Sequence, residues 1–135
     1  MFTAAFFGSW FAYVAITFAL GFVWHLMVFK NPYHRLAMYT RLDDPIIPLG
    51  LLSMLIQGAV LAYLYPHIVD VYGSVFEGLR LSLLMGVFIA SSAVIAEAAK
   101  QRVTSLRIWL VVESLYYLIQ FLLAGLAMRF IYSTL

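Results

Sequence analysis

The sequence predicts an all-helical polytopic membrane protein, a four-transmembrane-helix bundle with short loops, and three observations carry that prediction. Its residues are 65% hydrophobic and only 10% charged, against about 45–50% apolar and about 25% charged in soluble domains. Mean hydropathy is +0.99. Four apolar stretches, each near the roughly 20 residues that a spanning helix needs, leave only short connections in a chain of 135 residues. A single membrane domain over residues 1–135 is expected, with spans at about 6–29, 46–65, 75–96 and 106–131.

The first span, Phe6 to Phe29, begins without the basic region or the small-residue cleavage site of a signal peptide, so it is expected to be retained as a helix. The segment KNPYHRLAMYTRLDDP then breaks the hydrophobicity. Asn31 before Pro32 and Asp44 before Pro45 are the expected N-caps, with proline at the first helical position. Between them, Tyr33, Leu36, Ala37 and Tyr39 suit a short helix lying at the membrane surface. The second span starts at Asp44-Pro45, tolerates Pro48 in its first turn, where a missing N–H costs little, and is expected to stop before Pro66. Ser74 and Glu77 have the spacing of a capping box and should start the third span at Val75. A helical extension over 97–102 follows, and Thr104 or Ser105 caps the fourth span.

Charge orients the chain. Lys30, Arg35 and Arg41 lie in the first connection and Lys100, Arg102 and Arg107 flank the third, leaving only Arg80 and Arg129 for the other side. The positive-inside rule then places loops 30–45 and 97–107 in the cytoplasm and both termini outside. Trp10, Tyr63, Tyr65, Tyr72 and Tyr132 fit one aromatic belt, and Trp24, Tyr33, Tyr39 and Trp109 the other. A net charge of +2 in so apolar a chain speaks to orientation, not to nucleic acid. With no cysteine, disulfides and thiolate metal sites are excluded.

Polar residues inside spans are costly against lipid and usually turn toward other helices. Thr17, Gly21 and His25 recur every four residues in the first span; Gly50, Ser53 and Gln57 mark the second; Glu113, Tyr117 and Gln120 mark the fourth. Counted at 1.5 Å per residue, His25, Ser53 and Glu113 lie at a common depth of roughly 6–11 Å, and Ser92 of the third span reaches it too. The expected polar cluster is therefore His25, Ser53, Ser92 and Glu113, with Gln57, Glu97, Tyr117 and Gln120 as secondary polar positions. An imidazole beside a carboxylate in a dry site is a proton relay or a ligand pocket; its structural alternative is a register-fixing hydrogen-bond network. Ser82, Gly86 and Ala90 form a separate small-residue surface for close helix packing, against a helix whose chain of origin the sequence leaves open.

No phosphate loop, nucleophile elbow or HExxH helix is present. Of the three histidines, His67 falls on the opposite side from His25 and His34, and the ExxH spacing of di-iron bundles is missing, so no metal or other cofactor is expected. The runs GFVWHLMVF and PIIPLGLLSMLIQGAVLAYLYP resemble uncharacterised four-span proteins of bacterial inner membranes. That resemblance implies the membrane and the span count, and no reaction. The chain departs from the glutathione-handling MAPEG enzymes, whose polar Arg, His, Asn and Glu motif it lacks, and from small multidrug transporters, which carry a glutamate in the first span where this chain has His25.

The leading expectation is an accessory or structural subunit of a membrane complex, partnered by the lipid bilayer and by other membrane subunits or further copies of itself. Two alternatives stand beside it. One is a small oligomeric, proton-coupled carrier using Glu113 and His25; the other is a membrane enzyme or a binder of a quinone, lipid or pigment, with its pocket around Trp24, His25, Tyr117 and Gln120.

Overall fold

The computed structural model describes residues 2–135. Four helices are long and apolar enough to cross a membrane: α1 (Ala4–Val28), α3 (Ile47–Ile68), α4 (Val75–Lys100) and α5 (Leu106–Thr134). A short α2 (Lys30–Leu36) lies between the first two. The protein is thus an all-helical integral membrane protein. Its two ends differ: one carries both termini and residues 69–74, the other carries α2, residues 37–46 and residues 101–105. They are called here the terminal end and the loop end.

Local chemistry sets several boundaries. Ser74 accepts the Glu77 amide at 3.3 Å and Ser105 accepts the Ile108 amide at 3.4 Å, each satisfying an orphan donor at a helix start. Asn31 and Asp44 do not cap. Asn31 falls inside α2, which begins at Lys30, and exposed Asp44 pairs with Arg41 at 3.7 Å while α3 starts at Ile47. The second span also runs past its expected end, because Pro66 sits inside α3. A proline there leaves the carbonyl four residues back without its amide. The Tyr132 hydroxyl donates to that carbonyl, on Ala62, at 2.6 Å, so the interruption is satisfied from α5 and the helix continues. Ala37, with φ of 56°, turns the chain out of α2 in the left-handed region.

The helices pack in the order α3, α1, α5, α4, with α3 also touching α4 and α5 more lightly. α5 is the shared partner. The α4–α5 seam uses the small-residue stripe: a Cβ on Gly86 would stand 2.9 Å from the Phe121 ring, and one on Gly125 2.9 Å from the Ser82 Cβ. Ala90 packs against the core at the loop end. Ser82, Gly86 and Ala90 therefore serve contacts within the chain, which answers a question the sequence left open.

Two apolar clusters fill the interior. Toward the terminal end, Tyr13, Leu61, Tyr65, Phe121 and Met128 pack together; toward the loop end, Tyr33, Leu36, Leu42, Val94 and Trp109 do so. Residues 101–105 are tied to α2 by the Thr104 hydroxyl, which donates to the Arg35 carbonyl at 2.6 Å, and by the Thr104 amide on the Leu36 carbonyl at 3.2 Å.

Candidate functional site

The site lies at the loop end, where two helices depart from α geometry. The last turn of α1, Trp24–Val28, and the stretch Ser91–Ala96 of α4 are wound as wider π turns. Such turns re-aim side chains and carbonyls, and they recur at functional positions. In α1 the Phe29 amide reaches back five residues to the Trp24 carbonyl at 2.9 Å, and His25 Nδ1 contacts the Gly21 carbonyl at 3.1 Å. In α4 the Val94 carbonyl accepts the Trp109 indole N–H at 3.0 Å.

Glu113 projects from α5 into this region and is 1% exposed. Its Oε1 stands 3.2 Å from His25 Nε2, and the Tyr33 hydroxyl donates to the same oxygen. The Tyr33 and Tyr116 rings flank the imidazole at 4.8 and 4.6 Å between centroids. Burial, reinforced by the neighbouring Glu113 carboxyl, holds the Tyr33 phenol above its ordinary pKa, so it remains a donor. The Trp24 indole N–H is buried nearby without a partner.

The proton count follows from the geometry. A carbonyl only accepts, so the contact to Gly21 places a proton on Nδ1. The Nε2 to Oε1 contact then needs one proton, carried either by the imidazole as an ion pair or by the carboxyl as a neutral pair. Either way, one proton is shared between a half-buried His25 and a buried Glu113.

Of the four residues expected to converge, the structure joins His25 and Glu113 and leaves out two. Ser53 is exposed on α3, where it accepts the Gln57 side-chain amide at 3.0 Å; α3 packs on the far side of α1 and turns that face away from Glu113. Ser92 is also exposed, because the wide turn of α4 points Val94 inward instead. Glu97 pairs with Lys100 at 2.7 Å at the helix end. Tyr117 is half-buried and meets Tyr116 edge-on at 5.2 Å.

Gln57 and Gln120 belong to a second network. The buried Gln120 amide donates to the Tyr13 hydroxyl at 3.0 Å, which donates to Gln57 Oε1 at 2.8 Å, linking α5, α1 and α3. Tyr13 was missed by sequence reasoning, although a signal existed: it continues the four-residue repeat of His25, Gly21 and Thr17 back along α1. Tyr33 was missed for a different reason. It was placed in an aromatic belt with Trp24, Tyr39 and Trp109, yet Tyr33 and Trp109 are 0% and 1% exposed and their polar tips bond to Glu113 and to the Val94 carbonyl.

Beside the His25 and Glu113 pair, a cavity of about 580 Å³ opens between α1 and α3. Phe18, Phe22, Leu26, Leu51 and Met54 form its walls, while His25, Tyr39 and Tyr116 supply polar atoms and Arg41 lies at the rim. The size and the ratio of apolar wall to convergent polar groups are those of a small-molecule site. The pocket expected around Tyr117 and Gln120 is displaced to the α1–α3 side, and of the four residues named for it only His25 lines the cavity. In comparisons with protein families, curated proteins and solved structures, the chain matches none.

Proposed function

We propose that the protein binds a lipid-soluble small molecule within the membrane, in the cavity between α1 and α3. The observation that carries this reading is the cavity itself, apolar along its walls and backed by a half-buried His25 paired with a buried Glu113. A buried carboxyl such as Glu113 inside a spanning bundle is expensive to maintain and marks a functional position by default. The expectation of an accessory subunit rests on the absence of catalytic motifs, on the short loops and on the small-residue stripe. That stripe is occupied by Phe121 and Gly125 of the same chain, so the weight passes to the cavity.

We further place the loop end in the cytoplasm, on the distribution of Lys and Arg described above, and the chain in a bacterial inner membrane, on the resemblance of its first two spans. The binding site then lies in the cytoplasmic half of the bilayer. Since the chain has no cysteine, single cysteines introduced at His34 and at Tyr72 report sidedness cleanly with a membrane-impermeant thiol reagent. The binding reading is tested by mass spectrometry of lipids and small molecules that purify with the native protein and with Gly50→Leu. Gly50 lines the cavity, and a Cβ there meets nothing within 4 Å, so leucine fills the space without disturbing α3. A compound enriched on the wild type and lost from Gly50→Leu supports the reading; identical profiles overturn it.

A further inference from the structure

The polar atoms of the cavity select among lipid-soluble ligands. Both nitrogens of His25 are already bonded within the protein, Nδ1 to the Gly21 carbonyl and Nε2 to Glu113. What a head group meets is therefore the tyrosine hydroxyls. The Tyr116 hydroxyl lies over Gly21, where a Cβ would stand 3.2 Å from it, and no hydrogen bond of this hydroxyl occurs among the described residues. A hydroxyl in an apolar wall favours a ligand atom that completes a hydrogen bond with it.

The charge around the cavity argues against an anionic head. The one permanently cationic side chain of the lining is Arg41, which is 63% exposed and faces Asp44 at 3.7 Å. A carboxylate ligand beside His25 would have no cation of its own, because any charge on the imidazole is already paired with Glu113. A wholly apolar ligand fails in the other direction, because it leaves the Tyr116 hydroxyl unpaired. A neutral head that accepts from this hydroxyl or donates to it satisfies each constraint.

Ring geometry narrows the head further. His25, Tyr39 and Tyr116 present aromatic rings in one place, with His25 edge-on to Tyr116 at 4.6 Å and to Tyr39 at 5.9 Å between centroids. Phe22 stands on the adjoining wall. Aromatic rings attract another flat ring in offset or edge-to-face contact beyond the area they bury. From there the apolar walls run along α1 from Leu26 back to Phe18 and along α3 from Ile47 to Met54, a depth of about 10–12 Å at 1.5 Å per residue, enough for the first part of a lipid tail.

We infer that the ligand is a lipid-tailed quinone or its quinol, with the ring among His25, Tyr39 and Tyr116, one ring oxygen hydrogen-bonded to the Tyr116 hydroxyl, and the tail between α1 and α3. This inference rests on the reading of the cavity as a ligand site. A quinone carbonyl accepts from the hydroxyl and a quinol donates to it, so one residue serves both forms. The inference concerns binding and requires no electron transfer.

The test uses the full chain in lipid nanodiscs and three probes: a benzoquinone with a decyl tail, hexadecanoic acid and hexadecane. Partition-corrected binding is measured for the wild type, Gly50→Leu and Tyr116→Phe. The quinone is expected to bind the wild type at least tenfold more tightly than either other probe. Gly50→Leu should abolish its binding, and Tyr116→Phe, losing one hydrogen bond, should weaken it about tenfold while leaving hexadecane unchanged. If hexadecanoic acid or hexadecane binds as tightly as the quinone and is also lost in Gly50→Leu, the cavity reading survives and the quinone assignment is overturned. The same assignment falls if Tyr116→Phe binds the quinone like the wild type. If no probe is sensitive to Gly50→Leu, the cavity reading itself is overturned.

Discussion

Replacing Glu113 separates a structural ion or hydrogen-bond pair from an incidental contact. Glu113 is 1% exposed and holds two partners from different elements, His25 of α1 and Tyr33 of α2. Glu113→Ala strips both. An orphaned buried partner costs about 1–3 kcal/mol, and side-chain pairs inside membranes fall toward the low end of such ranges, so Glu113→Ala is expected to lose about 2–4 kcal/mol. Glu113→Gln differs in kind. Both partners meet the same Glu113 oxygen, so the amide keeps one of them, either its oxygen accepting from Tyr33 or its NH₂ donating to a neutral His25 Nε2, and the loss should be about half that of Glu113→Ala, about 1–2 kcal/mol. The assay is reversible unfolding in detergent followed by helical circular dichroism and tryptophan fluorescence. Hydrogen exchange should localise the Ala effect to α2 and residues 37–46, which Tyr33 helps to dock. Equal stability of the Ala and Gln variants would refute the reasoning, since the two differ in whether a partner remains bonded. Glu113→Gln also removes the shared proton, so a carboxyl signal of Glu113 in infrared difference spectra should vanish while the fold persists.

Other expectations follow from the packing. Gly86→Val should push α4 from α5, because even a Cβ meets the Phe121 ring at 2.9 Å; a loss of about 1–3 kcal/mol is expected for overpacking, and Gly86→Val with Phe121→Leu should recover part of it in the same unfolding assay. Tyr13→Phe cuts the link between Gln57 and Gln120 and should cost about 0.6–1.7 kcal/mol, the range for hydrogen bonds between membrane helices. Tyr132→Phe frees the Ala62 carbonyl opposite Pro66, so the last turn of α3 should exchange its amide protons faster while the rest of α3 is unchanged. Tyr33 has a raised pKa when folded, so the unfolded chain releases this proton first; stability should be full below about pH 10 and decline above it, and Tyr33→Phe should flatten that decline.

Much of the architecture was legible in the sequence because lipid imposes a simple rule on it. Backbone groups in hydrocarbon must be satisfied internally, so long apolar runs become helices. The four spans came out close to their expected ranges, and the Ser74 and Ser105 caps followed from local hydrogen bonding alone. Errors arose where another side chain, distant or three residues away, altered a local rule. Pro66 reads as a stop until Tyr132 reaches its freed carbonyl, and Asp44 reads as a cap although Arg41 engages it.

The site was legible in part. His25 and Glu113 could be paired from depth, since rise per residue converts sequence distance into height. Depth has no azimuth, however. Ser53 and Ser92 lie near the right height and face elsewhere, one turned away because α3 packs behind α1, the other because the wide turn of α4 rotates its face. Tyr33, outside the spans, had a helical spacing with Leu36 and Ala37 that reads as a surface helix and says nothing of Glu113.

The sequence by itself determined that the chain is helical, that it enters a membrane four times, and that a histidine and a glutamate stand at comparable depth. These are properties of single segments and their solvent, so composition and periodicity suffice. Tertiary structure alone decided which faces meet: that the small-residue stripe closes on α5 of the same chain, that Tyr33 folds back onto Glu113, and that a cavity opens between α1 and α3. Those outcomes depend on the order α3, α1, α5, α4 and on two widened helical turns. In lipid both sides of a helix are equally apolar, so hydrophobicity cannot say which side faces a neighbour; close packing and paired polar groups make that choice.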